Sequence, residues 1–116
     1  MKPQYVYAAK VVSVHDGDTM TLDIDLGFYV RVQMPCRVLG INAAELGTSG
    51  GLVARDTLRA LCPEGSDITV KSVKPDKYGW RFDGIPVLPD GRTVADCLVA
   101  AGVAVPWDGK GPKPVP

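Results

Sequence analysis

A single histidine, three cysteines and no excess of either charge limit what this chain can do before any motif is read. One His beside three widely spaced Cys (Cys36, Cys62, Cys97), with no C-x-x-C pair, offers little to a zinc site. An odd number of cysteines is also no disulfide framework, so these read as reduced, buried thiols of a cytosolic protein. Thirteen basic residues balance thirteen acidic ones. That excludes a strongly basic nucleic-acid-coating protein, and any nucleic-acid contact must use a local patch. No apolar run approaches the ~18 residues of a membrane span. The start, "MKPQYVYAAKVVSV", has no cleavage pattern and reads as a strand, so a cytoplasmic location is expected. What remains is an ordinary globular composition, 46% apolar and 22% charged over 116 residues, which implies one domain.

"YVYAAKVVSV" (5–14) is rich in β-formers and reads as the first strand. "TMTLDIDL" alternates, with Met20, Leu22, Ile24 and Leu26 on one face and Thr21, Asp23 and Asp25 on the other. The acidic run "HDGDTMTLDIDLG" therefore divides: Asp23 and Asp25 belong to the wet face of a strand, while Asp16 and Asp18 occupy the turn before it. After Gly27, "FYVRVQM" alternates again, with Phe28, Val30, Val32 and Met34 on one side. Pro35 is expected to interrupt, and "CRVLGI" to resume extended. "TSGGLVARDTLRALC" carries Gly51, Ala54, Leu58, Leu61 and Cys62 in one stripe and reads as a helix capped by Thr48 or Ser49 and stopped by Pro63. Its Arg55 and Arg59 form a solvated face. "DITVKSVK" is a fourth strand, "PDKYG" a loop, and "RFDGIPVLP" an extended segment whose Pro86 suits an edge or bulge. Asp90–Gly91 is a turn. "TVADCLVAAG" is a second helix with a Thr93/Asp96 capping box and Gly102 as its stop. Residues 1–106 form the domain, and 107–116 a Pro/Gly-rich tail expected to be disordered or lightly tied. Three strands, a helix, two strands and a helix fit a mainly β fold with α: a five-stranded OB-type barrel with two helices.

Three segments carry the chemistry: "DGDT" (16–19), "RVLGINAAE" (37–45) and "DKYGWR" (76–81). In this order, with strands and a helix between them, they resemble the staphylococcal nuclease (thermonuclease) family, and the resemblance runs from about Val11 to Ala104. It is to the short, single-domain phage or bacterial type, without the family's third helix. It implies an OB barrel and hydrolysis of the phosphodiester bonds of DNA, with RNA as a further substrate, dependent on one calcium ion and with little sequence specificity. The expected partner is single-stranded or frayed nucleic acid, bound by a monomer.

Such chemistry needs the phosphate charge neutralised, a water activated and the transition state stabilised. A hard cation on oxygen ligands suits the first task. Asp18 is the best ligand candidate, with the Asn42 amide oxygen and the Ala43 backbone carbonyl as further donors. Asp16 and Thr19 support the turn from behind. Glu45 can position or deprotonate water, although a carboxylate at a helix N-terminus can equally serve the helix dipole. Arg37 can grip a phosphate oxygen in a fork, and it would be costly as an unpaired core residue. The resemblance places Lys77 and Tyr78 on a neighbouring phosphate. His15 reads as an exposed turn residue, and Trp80 and Trp107 as packing residues.

The chain departs from the family pattern twice. Asn42 stands where the family has a second metal carboxylate, so weaker calcium binding is expected, and the following "AAE" lacks the family's Pro. Trp80 stands where the family's second Arg is expected. Arg81 can take that role only if the loop or a bulge absorbs one residue, because a one-residue slip flips a side chain across a strand. The competing expectation is a catalytically weak or inactive OB module that binds nucleic acid or protein.

Overall fold

The computed structural model describes residues 1–77 and 79–116. Five strands close a barrel: β1 (Val6–Asp16), β2 (Thr19–Asp25), β3 (Arg31–Val38), β5 (Asp67–Pro75) and β6 (Phe82–Val87), in the order β1-β2-β3-β6-β5. Helix α1 (Ser49–Leu61) lies between the third and fourth barrel strands, and helix α2 (Val94–Ala100) follows β6. This is the OB arrangement read from the sequence. A further short pair, β4 (Ile41–Ala43) with β7 (Ala104–Pro106), was not legible and matters for the site.

The core comes from alternation. Met20, Leu22 and Ile24 are buried on β2, while Asp23 and Asp25 face outward and are held by Arg31, at 3.1 and 3.6 Å. On β1 a bulge between Val11 and Ser13 changes the phase, so Ala9, Val11 and Val14 all point inward despite their odd spacing. Helix α1 packs on β1 through Gly51, Ala54 and Leu58, and the Thr48 hydroxyl caps it by accepting from the Gly51 N–H. Thr93 caps α2 in the same way from Asp96. Burial pushes the Cys36 thiol up to about 12 and the Cys62 thiol up to about 11, so both are inert fillers.

Two local expectations are corrected. Phe28 and Val30 do not alternate into the core. Phe28 and Tyr29 form the β2–β3 turn with positive φ (55° and 63°) and stand in solvent, because Val30 N–H bonds back to the Gly27 carbonyl and the strand begins only at Arg31. Pro35 does not interrupt β3. It sits opposite Thr21, just before parallel pairing with β6 begins at Cys36, so that stretch of β3 has a neighbour on one side only, a position proline tolerates. Pro86 likewise lies on β6 beyond its pairing with β3. Among the described residues no helix is long and apolar enough to cross a membrane.

Candidate active site

The turn between β1 and β2 is set by contact more than by backbone freedom. A Cβ on Gly17 would lie 2.6 Å from Ala54 Cβ on α1 and 2.9 Å from Ala43 Cβ on β4. Only a bare Cα lets the turn touch both, and this seats the turn against Ala43 of β4. The Asp18 N–H donates to Asp16 Oδ1 (3.1 Å), the Thr19 hydroxyl donates to Asp18 Oδ1 (3.1 Å), and the Asp18 carbonyl accepts from Val38 N–H (2.7 Å). The turn is thus fixed to the end of β3. The Asp18 carboxyl is pushed up to about 6, first by burial, then by its hydrogen bond to Asp16 and the Asp16 charge; Arg37 and Thr19 pull the other way.

Arg37 stands opposite Thr19 on β2 and beside Asp83 on β6. Its guanidinium is 3.7 Å from Asp18 Oδ2 and lies over the Trp107 ring, 5.6 Å from the centroid. The side chain is 16% exposed, so the charge is sheltered yet reachable. It opens into a cleft of roughly 240 Å³ that also takes in Lys74, Lys77, Arg81, Asp83 and Lys113.

The far wall of that cleft is the loop after β5. Asp76 is nearly buried and receives Arg81 Nη2 at 2.9 Å, while its backbone N–H donates to the Arg81 carbonyl. Arg81 therefore faces the same cleft as Arg37. Trp80 turns the other way and is 69% exposed, which corrects its reading as a packing residue. A bulge in β5 between Ser72 and Lys74 and a left-handed Gly79 (φ 97°) flank the loop from which Trp80 and Arg81 diverge. Asp83 is buried, and its Oδ1 accepts no hydrogen bond among the described residues. Its carboxyl is pushed up to about 6 by burial, then by the hydrogen bond and charge of Asp76, against the pull of Arg37 and Lys74.

The tail is tied down across the site. Trp107 N–H bonds to the Gly40 carbonyl, Trp107 Nε1 donates to the Lys110 carbonyl, Asn42 Nδ2 donates to the Pro114 carbonyl (3.0 Å), and Lys113 Nζ lies 5.7 Å from the Trp107 ring centroid. The β4–β7 pair delivers it there by placing Asn42 opposite Val105.

Comparison with models of known protein families gives no match, and no curated protein matches the chain.

The fold thus brings Asp16, Asp18, Thr19 and Arg37 into one cluster, and Arg37, Lys77 and Arg81 into one cleft. Ala43 packs against the same turn at Gly17, and Asn42, the residue before it on β4, bonds to the Pro114 carbonyl. Glu45 lies in the exposed loop after β4 and does not line the cleft. Its carbonyl accepts from the Thr48 hydroxyl (2.7 Å) and is packed so closely on Gly51 that a Cβ there would overlap it. Tyr78 lies outside the described residues. Sequence reasoning missed Asp83, Lys74, Trp107 and Lys113 as cleft residues. The one available signal was Asp83, a lone acid inside the extended "RFDGIPV".

Proposed function

We propose that the chain is a calcium-dependent nuclease of the staphylococcal nuclease type, hydrolysing phosphodiester bonds of DNA and RNA with little sequence preference. One observation carries the reading: Arg37 is held between the half-buried Asp18 carboxyl and a basic cleft that it shares with Arg81. The three-motif resemblance supports it from the sequence side.

The residues present fit a hard cation. Among the described residues no three His, Cys, Asp or Glu side chains form a metal-ligating group, so a site would rest on mixed oxygen donors. Asp16 and Asp18 supply two carboxylates crowded together at partial burial, a repulsion that a cation relieves. With Asn42 Nδ2 occupied by the Pro114 carbonyl, the amide oxygen is left as an acceptor. Asp18, Asn42 and the Ala43 carbonyl would hold the ion, with Asp16 and Thr19 fixing Asp18. Bound calcium supplies charge neutralisation at the phosphate and lowers the cost of generating hydroxide.

The chain's own groups do the rest. Arg37, stacked on Trp107, presents donors to a non-bridging phosphate oxygen, and Arg81 presents a second set, steadied by Asp76. Together they favour the extra negative charge of the transition state. The general base is assigned from the motif resemblance: Glu45, which lies outside the cleft lining on its exposed loop, would reach in to take the proton from the attacking water. Lys77, which lines the cleft, contacts the flanking phosphate; Tyr78, paired with it by the resemblance, lies outside the described residues. The test is incubation with plasmid and single-stranded DNA, in calcium and in chelator, for the wild type and Glu45→Gln. Chelator-sensitive cleavage that Glu45→Gln abolishes supports the reading; its absence in the wild type overturns it.

A second reading is a non-catalytic OB module for nucleic acid. It is favoured by the engagement of Asn42 with the tail and by the exposed Trp80. It predicts salt-sensitive binding without turnover, unaffected by Asp18→Ala.

A further inference from the structure

We propose that Trp80 is a base-stacking platform for single-stranded nucleic acid, set one residue from the phosphate-binding Arg81. The inference rests on the nucleic-acid reading of the adjoining cleft and adds to it a subsite for the base.

Trp80 is the residue that should have been buried. It is an indole in the middle of a chain with only two Trp, yet it is 69% exposed. A single exposed aromatic is ordinary, and Phe28 and Tyr29 are more exposed still; what sets Trp80 apart is the concave surface on both its sides. Trp80 lines two shallow cavities. One, roughly 470 Å³, runs across the outer face of β2 and β3, with Thr19, Thr21 and Pro35 as its floor and His15 at its β1 end. The other, roughly 510 Å³, lies toward Tyr5, Met34 and Phe82. Arg81 lines both, and also the basic cleft. The indole and the phosphate clamp are therefore neighbours in space as well as in sequence.

The place in the fold selects the occupant. OB barrels present the face of their second and third strands, framed by the loop after the first strand and the loop between the last two, to oligonucleotides. Here those are β2 and β3, the His15–Asp18 turn, and the loop that carries Trp80. Charge agrees: among the described residues no carboxylate lines either cavity, while Lys74 and Arg81 do. An aromatic shelf beside cations, free of acids, suits an anionic chain of aromatic units. Duplex bases are stacked on one another and cannot reach it, so the ligand is a single strand or an unpaired end.

The experiment uses the full chain in chelator at low salt, so that binding is read without cleavage. An end-labelled single-stranded oligothymidylate is compared with an abasic phosphodiester strand of equal length. The wild type is expected to bind the base-bearing strand about ten- to a hundredfold more tightly. Trp80→Ala should erase that preference while keeping the same salt dependence, and Trp80→Tyr should retain most of it. Equal binding of the two strands by the wild type, binding of neither, or a preference that survives Trp80→Ala overturns the proposal. So does sedimentation showing that Trp80→Ala only splits a dimer and leaves base preference unchanged. The two readings fail separately: base preference without cleavage in calcium sinks the nuclease and keeps the platform, and cleavage without base preference does the reverse.

Discussion

Arg37 Nη2 lies 3.7 Å from Asp18 Oδ2, at the hinge between two acidic pairs. Asp16 crowds Asp18 on one side and Asp76 crowds Asp83 on the other, and Arg37 lowers the proton affinity of both Asp18 and Asp83. Its planar head also lies over Trp107. Arg37→Lys keeps the charge but loses the fork and the stacked plane. Cleavage should fall by about a hundredfold or more in kcat/KM, the scale of losing a preorganised donor, while thermal unfolding barely moves. A lysine variant with near wild-type kcat/KM would show that Arg37 acts only as a charge.

Gly17 is a contact residue. Its added Cβ would meet Ala54 Cβ at 2.6 Å and Ala43 Cβ at 2.9 Å, with backbone close behind on α1. Gly17→Ala should therefore destabilise the chain by about 1–3 kcal/mol, as overpacking does, and lower the urea midpoint without changing the slope. A neutral Gly17→Ala would mean that the turn, β4 and α1 are not locked together.

Asn42 joins the tail to the proposed cation site. Asn42→Asp adds a charge for calcium but turns the Nδ2–Pro114 hydrogen bond into a repulsion between two oxygens. Calcium affinity, read by titration calorimetry, should rise about tenfold, equivalent to ~1.4 kcal/mol. Trypsin should also cut faster after Lys110, which precedes Gly111. Unchanged affinity with an unchanged tail would separate Asn42 from both roles.

Asp83 gives a pH dependence of known sign. Its carboxyl is pushed up to about 6 by burial and by Asp76, whereas an unfolded aspartate titrates near ~3.9. Between about pH 4 and 6 the folded chain holds a proton that the unfolded chain has released. Stability from this group thus falls as pH rises through that window and is level above it. Asp83→Asn keeps the shape without the charge, so it should raise the urea midpoint at pH 7.5 and change it little at pH 4.5. A loss at pH 7.5 would show that the ionised carboxylate is needed by Arg37 more than its burial costs.

The barrel was legible because its signals are local. Alternation at Met20, Leu22 and Ile24, the Thr48 and Thr93 caps and the stripe of α1 each determine an element from neighbouring residues. Phe28 did not follow the alternation because the turn at Gly27 ends the strand period there. The site was half legible. Asp18 and Arg37 follow from motifs, but Asp83, Trp107 and Lys113 enter the cleft through the parallel β3–β6 pairing and the β4–β7 pair, contacts between segments far apart in sequence. Trp80 was misread because period alone does not say which of two adjacent residues a bulged loop turns inward.

The most direct measurement is single-turnover cleavage of an end-labelled single-stranded DNA by the full chain, in calcium and in chelator, alongside Glu45→Gln. The account predicts cleavage in calcium, none in chelator, and a loss of about 10²–10⁴-fold in Glu45→Gln, the scale of losing a general base. Binding without any calcium-dependent cleavage by the wild type would contradict it.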